Sequence, residues 1–185
     1  SVGNDSAMPQ DLLVEAAINL LPGGWPTVGD PRHDKYEITE WVRQRSETLS
    51  ALAWGEVLCI IRWFIGSSTQ VLGKQNGRIV PYPQSDAFTK SENARNCRPT
   101  GLREGEAWVA SWAELGESLG ALLRDNDGRA RISDLKKTFR DKFGKELSET
   151  AFGHTTLMGL LGDDRLASSV SLEKQGASEA IWVSH

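Results

Sequence analysis

Residues 129–144, RARISDLKKTFRDKFG, decide the predicted fold of the C-terminal half of this chain of 185 residues. Leu135, Phe139 and Phe143 recur at every fourth position, and this spacing places them on one face of a helix. Gly144 follows directly and is a typical helix stop. The stretch therefore predicts an amphipathic helix whose polar side chains face solvent.

Shorter signals extend the prediction towards the N-terminus. A small strand at residues 129–132 is predicted before the helix, and Ser133 is placed to cap it. Residues 111–128 predict another helix, because Trp and Leu recur on one stripe. Its predicted cap is Ser111, and the Asp-Asn-Asp-Gly run at residues 125–128 predicts its closing turn.

The sequence after Gly144 completes a recognisable order of elements. Residues 148–164, SETAFGHTTLMGLLGDD, predict a further capped helical segment. Residues 168–185 alternate in polarity around Gln-Gly-Ala at positions 175–177, which predicts a hairpin. Helix, strand, helix, helix and hairpin is the order of a winged helix-turn-helix domain with a β-hairpin wing.

The N-terminal half predicts helices followed by a second hairpin. Residues 11–21, DLLVEAAINLL, and 50–66, SALAWGEVLCIIRWFIG, have helical spacing. A buried strand at residues 57–65 stays open, because that run is short and rich in β-branched and aromatic types. Residues 69–82, TQVLGKQNGRIVPY, predict a hairpin with its turn at Asn76-Gly77.

These elements predict an α+β fold that is mainly helical and has two domains. Residues 1–10 are predicted to be a disordered lead-in, and residues 11–105 a helical domain with its own hairpin. Residues 106–185 are predicted to be the winged helix-turn-helix domain. The polar residues 84–107 contain Gly and Pro and predict a linker or an irregular connection.

Composition excludes several protein classes. Apolar residues make up 39% of the chain, which is enough for a packed core. No run approaches the ~20 apolar residues of a membrane helix, and the N-terminus lacks the features of a secretory signal. Two cysteines make no disulfide framework, and Cys59 is expected to be buried and reduced. We therefore expect a cytoplasmic protein without a membrane partner.

The helix at residues 129–144 lies in a basic segment of an acidic chain. Seven basic and two acidic residues between positions 129 and 145 give a local charge of +5, against a net charge of −4 for the whole chain. Such polarisation is typical either of a solvated helix surface or of a surface for phosphates. The candidate phosphate-binding residues are Arg129, Arg131, Lys136, Lys137, Arg140, Lys142 and Lys145.

Three further residues are candidates for contact with nucleic acid. His154 and Thr155 begin the last helical segment, where a helix N-terminus favours anions, and Lys174 lies on the closing hairpin. The alternative that Thr155 caps the helix while His154 hydrogen-bonds locally stays open. Most of the seven tryptophans lie on apolar stripes, so we expect packing rather than base stacking from them.

No motif for catalysis or metal binding is complete. GESLG at residues 116–120 has the pattern of a nucleophile elbow, but it lies inside a leucine-periodic helix and not on a strand-to-helix turn. The three His and two Cys have no metal-ligand spacing, and no glycine-rich phosphate loop is present. The sequence therefore predicts a protein that is not an enzyme and that holds no cofactor or metal.

The C-terminal segments together resemble the LOTUS domain, also called the OST-HTH domain. The resemblance covers about residues 108–185 and rests on a helix ending in Phe-Gly at 143–144, on Leu-Ser-Glu at 147–149, on Phe-Gly-His at 152–154 and on the leucines of 157–161. The preceding segments, 30–42, 49–66 and 71–82, are similar to the region that accompanies some of these domains, the OST-HTH-associated domain.

The resemblance implies a role in post-transcriptional regulation, as a non-catalytic module for structured or G-rich RNA, including G-quadruplexes. It also implies a place in cytoplasmic ribonucleoprotein granules. Some relatives carry an added C-terminal helix and bind a DEAD-box RNA helicase. A protein-interaction adaptor that recruits such a helicase, or another ribonucleoprotein component, is therefore the alternative function.

Overall fold

The protein has an α+β fold that is mainly helical. The computed structural model describes residues 25, 34–66, 70–167, 169–174 and 181–184, and for Lys174 and residues 181–184 it describes the backbone alone. The predicted lead-in at residues 1–10, the helix at 11–21 and the turn at 175–177 lie outside the described residues.

The chain divides into two compact units, residues 1–89 and 90–185. The predicted domain boundary near residue 105 therefore lies within the second unit. Thr100 shows why, because its backbone N–H donates to Ser148 Oγ at 2.7 Å. The linker predicted for residues 84–107 is wrong in part, since a helix, Asp86–Arg95, occupies ten of its residues.

The described part of the first unit contains three helices and a hairpin, followed by a fourth helix that begins in it. The helices are α1 (Lys35–Arg43), α2 (Glu47–Ser50) and α3 (Trp54–Gly66). The strands are β1 (Leu72–Gln75) and β2 (Arg78–Pro81), followed by a 3₁₀ turn at Tyr82–Gln84 and by α4 (Asp86–Arg95), which crosses into the second unit. Helix α4 was missed because Ala94 is its one buried side chain, so no apolar period marks it.

Helix α3 supplies much of the first core, which confirms the helical prediction over the alternative of a strand. Its buried side chains are Val57, Ile60, Ile61 and Phe64, and they pack with Ile38 of α1. Cys59 is exposed, so its predicted burial is wrong. Successive helical residues are rotated by about 100°, which turns position 59 away from the buried stripe.

The predicted hairpin is present, with β1 and β2 antiparallel and Gln75 opposite Arg78. Its turn residues Asn76 and Gly77 have φ angles of 50° and 82°. Two consecutive positive φ values are required by a type I′ turn, which matches the right-handed twist of the two strands. Asn-Gly is the pair that adopts this turn most readily, so local sequence determines the hairpin.

The second unit contains α5 (Trp112–Asp125), α6 (Ile132–Phe143) and α7 (Leu157–Leu161). Its strands are β3 (Ala107–Trp108), β4 (Arg129–Arg131), β5 (Lys145–Glu146), β6 (Ser171–Lys174) and β7 (Ile181–Ser184), and a 3₁₀ turn covers Glu149–Phe152. The short strand and the closing hairpin predicted from the sequence are both present. They form one antiparallel sheet in the order β4-β7-β6, while β3 pairs in parallel with β5.

One apolar core holds the second unit together. Leu115, Leu119 and Leu122 of α5 pack against Leu135 and Phe139 of α6, and all five are fully or almost fully buried. Each fully buried Leu or Phe side chain contributes roughly 1.5–3 kcal/mol through the hydrophobic effect. The helical spacing that defined these stripes in the sequence therefore identifies the core correctly.

Five capping or stop signals were predicted for the helices of the second unit, and the structure confirms three of them. Ser111 caps α5 by accepting from the N–H of Glu114, residues 125–128 turn after it, and Gly144 ends α6 at φ 63°. Ser133 does not cap α6, because that helix begins at Ile132, directly after β4. Thr156, and not Thr155, caps α7.

Within the described residues, none of the helices has both the length and the apolar character needed to cross a membrane.

Candidate nucleic-acid interface

The basic residues of α6 point in three directions. With about 100° between successive residues, Lys136 and Arg140 lie on one flank of the helix, Lys142 on the other and Lys137 on the outer face. The structure therefore does not gather the predicted cations on one surface. Most of them form ion pairs within the second unit.

The flank of Lys136 and Arg140 faces two buried carboxylates. Glu146 is 1% exposed and Glu149 is 3% exposed, and three cations surround them. Lys136 Nζ and Lys90 Nζ each lie 2.5 Å from Glu149, and Arg140 Nη2 lies 2.7 Å from Glu146 Oε2. We call these five residues, Lys90, Lys136, Arg140, Glu146 and Glu149, the ion-pair cluster.

Arg140 is held further by the segment before β3. Its Nε donates to Glu106 Oε1 at 2.7 Å and its Nη2 donates to the Gly101 carbonyl at 2.8 Å. The hydrogen bond from Arg140 lowers the pKa of Glu106 and raises the pKa of Arg140. The guanidinium of Arg140 therefore stabilises the fold through these contacts and is not available for contact with a ligand.

Burial and ion pairing have opposite effects on the pKa values of the two buried carboxylates, Glu146 and Glu149. Burial is the largest influence on Glu149, yet the ammonium groups of Lys136 and Lys90 outweigh it and hold the pKa of Glu149 below its usual value. At Glu146 burial dominates, and Lys136 and Arg140 offset it only in part, so the pKa of Glu146 is raised. Glu149 is thus the better neutralised of the two carboxylates.

The other end of the basic segment is also paired. Lys142 Nζ lies 2.6 Å from Asp125 Oδ2 and donates to the Ala121 carbonyl on α5 at 3.1 Å. Lys145 contacts the carboxylate of Glu114. Hydrogen bonds from these two lysines lower the pKa values of Asp125 and Glu114. Lys142 therefore ties α5 to the C-terminal end of α6, and Lys145 ties α5 to β5.

Arg129, Arg131 and Lys137 are the more available candidates, because all three are exposed. Arg129 lies 3.9 Å from Glu173, and both side chains are about half exposed, so water screens the pair. No ion-pair partner is found for Lys137 among the described residues.

A groove lies between β4 and α6 beside these cations. It has a volume of about 330 Å³, and its polar lining is Asn126, Arg129, Arg131, Asp134 and Thr138. We call it the β4–α6 groove. Lys137 does not itself line the groove. It lies directly before the lining residue Thr138 and one helical turn after the lining residue Asp134, which places it at the border of the groove.

His154 forms a local hydrogen bond. Its Nε2 lies 2.9 Å from Asp163 Oδ2, and Arg165 also binds Asp163. The hydrogen bond from Arg165 is the main cause that holds the pKa of Asp163 far below its usual value. Thr155 is exposed, and the side chain of Lys174 lies outside the described residues. The alternative of local hydrogen bonding therefore describes His154.

The first unit has a second groove that the sequence analysis did not identify. Its volume is about 380 Å³, and the residues that define it are Lys35, Tyr36, Arg62, Ile65 and Lys74. We call it the aromatic groove.

The tryptophans divide between core and surface. Trp41 is 6% exposed and matches the expected packing role, and Trp25 donates a hydrogen bond from Nε1 to the Ile79 carbonyl at 3.0 Å. Trp54, Trp63 and Trp108 are about 40% exposed, so the expectation of packing is wrong for them.

No group of three or more His, Cys, Asp or Glu side chains that could hold a metal ion is found in the part of the chain that the structure describes. Ser118, the potential nucleophile, lies inside α5, away from any strand-to-helix turn. Comparison with protein-family models, with curated proteins and with solved structures finds no match to this chain. The resemblance to LOTUS domains thus stays a prediction.

Proposed function

We propose that the second unit is a non-catalytic RNA-binding module of winged helix-turn-helix type, with α5 and α6 as helices and the β6–β7 hairpin as the wing. The order of its elements and its three-stranded sheet β4-β7-β6 support this assignment. Structured or G-rich RNA is the proposed target, in post-transcriptional regulation within cytoplasmic ribonucleoprotein granules.

The observation that carries the proposal is the β4–α6 groove. Arg129 and Lys137 are exposed at its border, and no buried carboxylate holds either of them. A phosphate can displace the screened contact between Arg129 and Glu173 at little cost, because exposed ion pairs contribute little to stability. Asn126 and Thr138 add hydrogen-bonding groups for the sugar-phosphate backbone.

The proposal narrows the set of binding residues. Lys136, Arg140, Lys142 and Lys145 stabilise the fold through their ion pairs, and Arg129, Arg131 and Lys137 contact phosphates. Because few phosphates are contacted, we expect the affinity for RNA to depend only modestly on the salt concentration. With ~0.7 decade of affinity lost per decade of salt for each phosphate on a single strand, these three contacts give a slope of roughly −2.1.

The test is a binding panel over unpaired, duplex and G-quadruplex RNA at two salt concentrations, using the whole chain. The double variant Arg129→Glu and Lys137→Glu is expected to lose at least about tenfold in affinity, because two phosphate contacts become repulsive. Arg98→Glu is the matched control, since Arg98 is exposed and does not line the groove. Equal affinities for the double variant and the control would refute the proposal.

The alternative function, an adaptor that recruits a DEAD-box RNA helicase or another ribonucleoprotein component, has its own supporting observation. Trp108 is 40% exposed and Met158 is 49% exposed in the second unit, while many of the basic residues are used internally. Aromatic and Met side chains are enriched at protein interfaces. A partner that stays bound after nuclease treatment and is lost with Trp108→Ser would favour the adaptor.

A further inference from the structure

We propose that the aromatic groove of the first unit binds an unpaired segment of nucleic acid, with a base stacked on the exposed Tyr36–Trp54 pair, of which Tyr36 lines the groove, and phosphates held by Arg62 and Lys74. The inference concerns a different unit from the proposed function. It does not rest on RNA binding by the β4–α6 groove.

Tyr36, the aromatic residue in the described lining of the groove, is stacked on Trp54, which does not itself line the groove. Tyr36 and Trp54 lie parallel, with an interplanar angle of 5° and their centroids 5.9 Å apart. Tyr36 is 50% exposed and Trp54 is 38% exposed. Large aromatic side chains are normally covered in a folded protein, so a half-exposed parallel pair is available for a further planar group.

The cations at the groove come from three different elements. Lys35 begins α1, Arg62 lies near the end of α3, and Lys74 is on β1. In contrast to the ion-pair cluster, no carboxylate partner is found for these three side chains among the described residues. Their charge is therefore available to an anion.

Among the described residues that line the groove, Asp34 is the one acidic residue, and its carboxylate already accepts hydrogen bonds. Asp34 Oδ1 accepts hydrogen bonds from the backbone N–H groups of Tyr36 and Glu37 at 2.7 and 2.9 Å, which caps α1. Three cations against one capping carboxylate give the described lining of the groove a formal charge of +2. This sign matches phosphate.

Aromatic rings together with cations favour nucleic acid over other polyanions. Unpaired bases stack on aromatic side chains while basic residues follow the backbone, and such binding tolerates different sequences. An acidic peptide would use the cations and leave the rings without a planar partner. Lys35 Nζ lies 5.0 Å from the centroid of the Tyr36 ring, and it can move from the ring to a phosphate as a base arrives.

The position of Arg62 relative to the rings fits a chain of nucleotides rather than one small anion. Trp54 and Arg62 are two helical turns apart on α3, about 12 Å along the helix axis. A ligand that contacts both must carry its planar group and its charge on an extended scaffold. A short single strand has this form, and inorganic phosphate does not.

The experiment measures binding of a fluorescent hexanucleotide to the whole chain, as RNA and as DNA of the same mixed sequence. Tyr36→Ala is expected to weaken binding by roughly tenfold, and Tyr36→Phe to retain it, because stacking needs the ring and not the hydroxyl. The double variant Arg62→Glu and Lys74→Glu is expected to weaken binding by at least tenfold and to reduce the salt slope. The RNA and DNA arms identify which single strand is preferred.

Arg45→Glu is the matched control, because Arg45 is exposed in the same unit and does not line the groove. Thermal unfolding of each variant shows that the fold is retained. Competition with inorganic polyphosphate and with polyglutamate tests the role of the bases. The proposal is overturned if either polymer competes as well as the oligonucleotide, or if Tyr36→Ala binds like the unchanged protein.

The two proposals fail separately. Arg129→Glu with Lys137→Glu is expected to leave hexanucleotide binding at the aromatic groove unchanged. If those variants abolish it while Tyr36→Ala does not, the aromatic groove is not a binding site and the β4–α6 groove is. The reverse result supports the aromatic groove, and the binding panel with structured RNA then decides RNA binding at the β4–α6 groove.

Discussion

Replacement of Glu149 by Gln tests whether Lys136 of α6 stabilises the fold through its ion pair with Glu149. Glu149 is 3% exposed and its carboxylate neutralises Lys136 and Lys90, each at 2.5 Å. Glutamine has nearly the same shape and no charge. The variant therefore leaves two ammonium groups without their shared counter-ion while the packing around them is preserved.

The expected cost follows from the burial of the partners. Breaking a buried ion pair costs ~3–5 kcal/mol when the remaining charge stays buried. The side chains of Lys136 and Lys90 are 35% and 40% exposed, so water stabilises both partly after the change. We expect a loss of about 2 kcal/mol in the free energy of unfolding. For a unit of this size that is roughly 8–16 °C in the unfolding midpoint.

Thermal and urea unfolding, followed by circular dichroism at pH 7, measure this loss. Asp125→Asn is the matched control, because it removes the carboxylate that Lys142 pairs with at a position where Asp125 is 65% exposed. The control is expected to shift the midpoint far less. A Glu149→Gln midpoint equal to that of the control would refute the structural role, and it would return Lys136 to the candidate phosphate contacts.

Three further predictions concern single positions. The depressed pKa of Asp163 means that its stabilising contribution is present above its unfolded pKa and lost as pH falls through the folded value. Asp163→Asn should therefore be less stable than the unchanged protein at pH 7, and the difference should shrink as pH falls below about 4; a pH-independent difference would contradict this. Gly144 has φ 63°, and Gly144→Ala is expected to cost about 1 kcal/mol in urea unfolding, whereas an unchanged midpoint would mean that α6 ends differently. Cys59 and Cys97 are exposed, so both should react with a thiol reagent in the folded protein within minutes, and protection of Cys59 until unfolding would show that it is buried after all.

Local signals predicted the elements that depend on a few neighbouring residues. The Asn76-Gly77 turn, the cap at Ser111 and the stop at Gly144 each depend on side-chain chemistry within one turn of the chain. The apolar period of α5 and α6 likewise predicted the core of the second unit. Helix α4 was not predicted because its side chains, except that of Ala94, are not buried. Its sequence therefore has no apolar period that would indicate a helix.

The sequence by itself determined that positive charge concentrates between residues 129 and 145, and only the tertiary structure decided where that charge goes. Glu106 lies 34 positions before Arg140, and Glu149 lies beyond the end of α6, so a local count of charge could not include them as partners. Chain folding brings them within hydrogen-bonding distance because the strands β3 and β5 pair beside α6. The same holds for the aromatic groove, whose residues come from α1, α3 and β1 and share no local pattern. Charge and periodicity act along the chain, whereas ion pairing and exposure depend on which segments meet.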